Sequence, residues 1–401
     1  MQTDQLAELY PVSGCKLGTT AAGIKTTDRP DLVVMELAPG SACAAVFTQN
    51  AFCAAPVIVA REHLSQEQPA YLLVNTGNAN AGTGGAGIRD ARLCCESLAR
   101  QAGCVPQAVL PFSTGVIGEP LPVEKIVSGI PDALVQLDEH GWTAAASGIL
   151  TTDTVPKGAS IKVEIDGQPV TITGIAKGAG MIRPDMATML AFIAADVHLG
   201  REPLQDCLSR AVGKSFNRIT VDGDTSTNDA CVLVATGKGP ALQSGTPGYT
   251  VFCEAVSDIC VQLARAIVRD GEGATRFVTI AVEGGSTTGE CLQVAYTIAH
   301  SPLVKTALFA GDPNWGRILA AVGRAGITDL DLLPVEIYLD EVCIVRDGGR
   351  AADYTEAAGQ QVMDRKEMTI RVVLHRGVCS ETVWTCDLSY DYVKINAEYR
   401  T

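Results

Sequence analysis

No run of apolar residues approaches the roughly 20 needed to cross a bilayer, although 47% of the chain is hydrophobic. The opening MQTDQLAELYPVSG has neither a basic cluster nor an apolar core, so no secretory leader is read there. Basic residues are also short, 31 Lys and Arg against 45 Asp and Glu, for a net charge of −14. Nucleic-acid affinity rests on neutralising phosphates with cations, so this balance argues against a nucleic-acid partner. The expectation is a soluble cytoplasmic protein with no membrane partner. Histidine is scarce: five accompany 14 cysteines, and no C-x-x-C spacing occurs, so a zinc site is not expected. The cysteines are read as buried, reduced, small hydrophobes. There is no G-x-S-x-G elbow, internal repeat, low-complexity tract or obvious linker.

What is present is a regular alternation of short β-rich runs with helical segments. VVMEL, YLLVNTG, SIKVEI and PVTITGIAKG read as strands. EAVSDICVQLARAIVRD places apolar residues at 256, 259, 260, 263, 264, 267 and 268, a helical spacing, and stops at Gly271. RFVTIAVEG then reads as a strand. VEIYLDEVCIV, MTIRVVLHRG and ETVWTCDLSYDYV read as β-hairpin material. The fold class expected is α/β (α+β), with layered sheets flanked by helices and no doubly wound parallel sheet.

Three motifs tempt and are set aside. Gly82-x-Gly84-x-x-Gly87 lies between a strand and a helix like a dinucleotide fingerprint, but no acidic ribose ligand follows at the required distance. An anion site at that helix start stays open. Gly213-Lys214-Ser215 would need its first P-loop glycine at Leu208. VDGDTSTND opens like a calcium loop, yet Thr227 and Leu233 stand where glycine and glutamate are required, so a hydrogen-bonded turn is the better reading.

KGAGMIRPDMATML, residues 177–190, poses a sharper question. Thr188 sits between apolar residues just after a loop broken by Gly178, Gly180 and Pro184. A threonine hydroxyl is a weak nucleophile unless a base stands beside it, and an N-terminal threonine carries that base as its own α-amine. A mid-chain threonine reaches this state by attacking its preceding carbonyl and hydrolysing the resulting ester. Ala187 is small enough to leave that carbonyl approachable. The bland alternative is an ordinary strand residue.

That stretch, with TTDTVPK at 151–157, resembles the ornithine acetyltransferase (glutamate N-acetyltransferase) family of arginine biosynthesis. The likeness runs on through FCAAPV, NTGNANAG, PFSTGVIGEPLP, VDGDTSTND, AIVRDGEGATRFVTI, SPLVKTALFAGDPNWGRI, GGRAADYTEA and YVKINAEYRT. The resemblance implies a cut between Ala187 and Thr188, giving chains 1–187 and 188–401 that interleave as one catalytic unit. It implies acetyl transfer from N2-acetyl-L-ornithine to L-glutamate through an acetyl-Thr188 ester. Thr114 and Gly115 then match the oxyanion hole, and Thr151, Lys177, Thr188, Glu272, Asn396 and Thr401 match substrate contacts. A lysine suits a carboxylate and a glutamate suits an ammonium. No metal or tightly bound organic cofactor is implied, and acetyl-CoA enters as a substrate only in bifunctional members. The implied assembly is a heterotetramer of two α and two β chains. The rival is a self-processing aminopeptidase-like hydrolase of similar fold, disfavoured because such relatives use serine.

Overall fold

The computed structural model describes residues 6–25, 29–183 and 189–398. Packing divides them into two units: 6–217 with 224–267, and 218–223 with 268–398.

The larger unit is built on two sheets. The first has the order β1-β2-β4-β5, from Cys15–Thr20 (β1), Leu32–Leu37 (β2), Tyr71–Asn78 (β4) and Val109–Val116 (β5). The second holds β3 (Ala42–Phe47), β6 (Lys157–Ile165), β7 (Gln168–Lys177), β8 (Leu190–Ala195) and β9 (Ala230–Ala235), in the order β3-β9-β8-β7-β6. Every residue of β8 and β9 is buried. These strands are covered on both faces, so they read as unbroken apolar runs rather than alternating ones. Leu190, Phe192 and Ala194 of β8 meet Val33, Met35, Leu72, Val74 and Phe112 in a shared core between the sheets. Phe112 and Phe192 stack edge-to-face across it at 5.1 Å.

Helices close both outer faces. α2 (Gly84–Ala102) and α3 (Val123–Val135) pack their apolar stripes on the first sheet, with α1 (Ala55–Gln66) beside β5. α4 (Trp142–Gly148) sends Trp142, Ala145 and Ala146 into the inter-sheet core. α5 (Arg201–Lys214) and α6 (Pro247–Arg269) lie against the second sheet. All seven apolar positions expected on the face of α6 are buried. Four layers result: helix, sheet, sheet, helix.

The smaller unit is one six-stranded sheet, β13-β12-β11-β14-β10-β15, from Phe277–Gly285 (β10), Glu336–Leu339 (β11), Val342–Arg346 (β12), Gly349–Arg350 (β13), Glu367–Val373 (β14) and Cys379–Cys386 (β15). α7 (Thr288–Ala299), α8 (Pro302–Ala310), α9 (Trp315–Gly323) and α10 (Glu356–Met363) share its core, and α11 (Tyr390–Ala397) follows β15. Two expectations need correction. β11 and β12 form the hairpin read from VEIYLDEVCIV, but β14 and β15 do not pair, because β10 lies between them, parallel to β14 and antiparallel to β15. The tail DYV of the last β-like segment is helical: Ser389 accepts a hydrogen bond from Tyr392 N and caps α11.

All 14 cysteines are free thiols, nine of them buried, as their apolar surroundings implied. Among the described residues no helix is long and apolar enough to cross a membrane.

Candidate active site

β4 and β5 run parallel until their register slips at Gly77 and Asn78, opposite Thr114 to Val116. Such a bulge re-aims the side chains beside it. Gly115 has φ +136, and a Cβ there would lie 2.3 Å from the Gly77 carbonyl carbon and 2.5 Å from Asn78 N. Only glycine fits so close an approach of two backbones.

Buried amides hold this turn. Ser113 Oγ donates to Asn75 Oδ1 at 2.6 Å, and Asn75 Nδ2 donates to the Asn78 carbonyl at 2.9 Å. Asn80 receives Thr83 Oγ1 and donates to the Gly87 carbonyl. A Cβ on Gly87 would lie 1.9 Å from Thr83 Oγ1. The glycine-rich loop NTGNANAGTGGAG is therefore packed with its own side chains, and its amides brace β4 and the start of α2.

Lys177, the last residue of β7, is buried and donates from Nζ to Thr114 Oγ1 at 3.3 Å, bridging the two sheets. It stands opposite Leu190 in the β7–β8 ladder. Its counter-charge is Asp153, in the loop after α4, and the Asp153 side chain is buried. Asp153 Oδ1 accepts from Lys157 Nζ and from Gly178 N, both at 2.6 Å, and Oδ2 accepts from Thr151 N at 3.0 Å. Burial works to raise the Asp153 carboxyl. The charges of Lys157 and Lys177, with the Lys157 and Gly178 hydrogen bonds, overcome it and hold the group well below the usual carboxylate range. Asp153 is thus an anion that pins the first residue of the 178–189 connection.

The described start of that connection, 178–183, holds two residues at positive φ. Gly178 has φ +151, and Met181 adopts φ +56, a conformation an unbranched side chain rarely takes. Thr225 holds its far side, with Oγ1 donating to the Arg183 carbonyl at 3.2 Å and a β-bridge to Ile182.

VDGDTSTND reaches the same corner. Asn228 Nδ2 donates to the carbonyls of Ala79 (2.5 Å) and Ser113 (2.9 Å), clamping the strand just before Thr114. Asp229 is buried and its Oδ2 has no hydrogen-bond partner among the described residues. Burial pushes this carboxyl well up, and neither the Ser226 hydroxyl nor the Lys177 charge offsets it. Among the described residues no group of three His, Cys, Asp or Glu could hold a metal ion.

The structure therefore brings Thr114, Gly115 and Lys177 together in the larger unit, with the backbone of Thr151 tied to them through Asp153. Glu272 and Asn396 meet in the smaller unit, where Asn396 Nδ2 donates to Glu272 Oε2 at 2.8 Å. Gly273 (φ +68) lets that turn close on α11, and Ser389 Oγ donates to its carbonyl at 2.6 Å. Ala187, Thr188 and Thr401 lie outside the described residues. Sequence reasoning gave no role to Asp153, Asn228 or Asp229. Asp153 had a legible signal, the D-x-x-x-K spacing to Lys157; the two others became visible only when VDGDTSTND was placed against β5 and β8.

A sequence profile described as the ArgJ family matches residues 16–401. A Pseudomonas fluorescens protein, "Arginine biosynthesis bifunctional protein ArgJ", is 58% identical over 99% of this chain and 98% of its own length. A protein of the same name from Methylococcus capsulatus is 60% identical over 98% of this chain and 97% of its own. Among solved structures, ornithine acetyltransferase from Mycobacterium tuberculosis complexed with ornithine is 32% identical, covers 45% of this chain and 98% of that one, and superposes with a TM-score of 0.41.

Proposed function

This chain belongs to the ArgJ family, and we propose that it performs acetyl transfer from N2-acetyl-L-ornithine to L-glutamate through an ester on Thr188. It is an enzyme of arginine biosynthesis, a glutamate N-acetyltransferase. The relatives' description as bifunctional supports a second reaction, in which acetyl-CoA supplies the acetyl group to glutamate.

The observation that carries the mechanism is the half-buried Lys177–Thr114 contact beside a Gly115 that no other residue could replace. Thr114 Oγ1 accepts from an ammonium, which leaves its own proton free to donate and polarises it. A hydroxyl and a backbone N–H at adjacent positions form an oxyanion hole for the tetrahedral intermediate. Thr188 would be the nucleophile, its α-amine taking the hydroxyl proton on attack. Discharge of the acetyl group to glutamate regenerates the free threonine. Thr151, Lys177, Glu272, Asn396 and Thr401 are carried over as substrate contacts on the family likeness alone; Glu272, which accepts from Asn396, suits an ammonium and Lys177 a carboxylate.

Sheet order supports halves that stay joined after the cut. β8 and β9 follow Thr188 in sequence, yet they lie between β3 on one side and β7 and β6 on the other, all from before Ala187. Hydrogen bonds along both flanks hold the second chain in place. The heterotetramer is also a proposal, tested by whether cut protein scatters light as twice the 42.0 kDa of one chain.

Intact-mass measurement of the purified protein tests the central claim. Wild type should appear as two fragments divided at Ala187–Thr188, and Thr188→Ala as one uncut chain without transferase activity. An active, uncut wild-type chain would overturn the mechanism. Labelled acetylornithine should leave one acetyl group on the C-terminal fragment, removed by glutamate far faster than by water; removal by water alone would favour the hydrolase.

A further inference from the structure

Of the residues of β5, only Thr114 and Gly115 are not buried, so the pair read as the oxyanion hole is also the pair that solvent reaches. Two anchors bracket them. Downstream, Ala79 N donates to the Val116 carbonyl at 2.9 Å. Upstream, Asn228 Nδ2 donates to the Ser113 carbonyl at 2.9 Å, and the same nitrogen donates to the Ala79 carbonyl at 2.5 Å. One amide thus closes a ring, running from Ser113 through Thr114, Gly115 and Val116 to Ala79 and back.

Asn228 is buried, and its amide can stand only one way round. Oδ1 accepts from Thr227 Oγ1 at 2.6 Å, while the two carbonyls can only accept and so require the nitrogen. The arm also starts from a fixed base. Thr48 Oγ1 donates to the Ser226 carbonyl at 2.8 Å and Thr48 N to the Asp229 carbonyl at 2.9 Å. Ala54 N donates to the Thr227 carbonyl at 3.0 Å and Asn50 Nδ2 to the Thr225 carbonyl at 2.9 Å. Asn228, just before β9, and Lys177, ending β7, reach across from the second sheet to successive residues of β5, 113 and 114.

We propose that Asn228 is a positioning residue for acetyl transfer: by fixing the Ser113–Thr114 peptide it aims the Thr114 hydroxyl and the Gly115 N–H at the oxygen of the tetrahedral intermediate. This rests on the oxyanion-hole reading above. The Ser113 carbonyl and the Thr114 N–H share one planar peptide, so a hydrogen bond to that oxygen sets the plane from which the next two residues follow. Gly115, at φ +136, has the conformational freedom the turn needs, and that freedom must be removed from outside the turn. Oxyanion-hole donors act by being in place before charge develops. Asn228 works through these two residues and needs no contact with substrate.

The test is Asn228→Asp in the full chain, which keeps the shape and replaces the two N–H donors by an acceptor. Labelled acetylornithine counts the competent sites. Rapid quench then gives, per site, the rate of acetyl loading and the rate of discharge to glutamate, and calorimetry gives the affinity for L-ornithine. The expected result is both steps slowed about 30- to 100-fold per competent site, the scale of a misplacement of about 1 Å. Ornithine affinity should stay within about twofold of wild type, as for an interaction realised only in the transition state. In a Thr114→Ala background the same substitution should slow the steps less than in wild type, because the two changes act on one group. Fewer competent sites working at the wild-type rate, weaker ornithine binding with unchanged rates, or losses that multiply in the double variant each overturn the positioning role. T114A loading and discharging at wild-type rates overturns the oxyanion-hole reading instead. Should N228D fail to fold or to cut, Asn228→Gln, which keeps both donors on a longer arm, is held to the same outcomes.

Discussion

Replacing Asp153 by Asn removes one negative charge from a pocket that holds two lysines. The side chains of Asp153 and Lys157 are 0% and 1% exposed and meet at 2.6 Å, and the Lys177 charge acts on the same carboxylate. Losing one member of a buried ion pair costs about 3–5 kcal/mol, because the partner stays buried without a counter-charge. That is a large share of the roughly 5–15 kcal/mol that holds a typical domain folded. Urea unfolding followed by circular dichroism should show D153N destabilised by about that amount, with an unchanged slope. Adding Lys157→Met should recover part of the loss, since an apolar side chain then replaces the stranded ammonium. The pH dependence has a definite sign. The folded-state carboxyl is held below its unfolded value, so its stabilisation is fully present above the ordinary carboxylate range and is lost progressively as pH falls through that range toward the folded value well below it. Wild type should lose its advantage over D153N in that acid window. A loss below about 1 kcal/mol at pH 7, or a double variant no better than D153N, would refute the electrostatic account.

Two further outcomes follow from the geometry. Gly115→Ala places a methyl 2.3 Å from the Gly77 carbonyl carbon at φ +136; overpacking of about 1–3 kcal/mol or more should lower the urea midpoint and leave an uncut chain, and wild-type cutting by G115A would sink the assignment of this turn. Cys253 on α6 is held down to about 7, first by its hydrogen bond with Cys207 and then by Tyr249 and Arg210, against partial burial. Iodoacetamide at pH 7.5 should label it well before Cys53 and Cys104, whose thiols are raised; equal labelling in peptide mass mapping would contradict this.

Much of the element list was legible in the chain. The strand runs of β2, β4, β6, β7 and β10 and the buried stripe of α6 follow from local apolar periodicity, which a linear sequence carries in full. The long motifs likewise carried the family, and with it the identities of Thr114, Gly115 and Lys177 as a group. Pairing was not legible in the same way. β14 and β15 are neighbours in sequence, but β10 inserts between them, and nothing local to either strand records that choice. Burial was equally hidden. Asp153 and Asp229 are the same residue type, yet the carboxyl of one is held down by two lysines and that of the other is pushed up by burial. The sequence by itself determined which segments become strands and helices and which residue types are available for chemistry, because those depend on neighbours within a few positions. Tertiary structure alone decided which strands lie side by side, which carboxyl is pushed up and which held down, and that β8 is gripped on both flanks. Those properties depend on charges and backbones brought together from far along the chain.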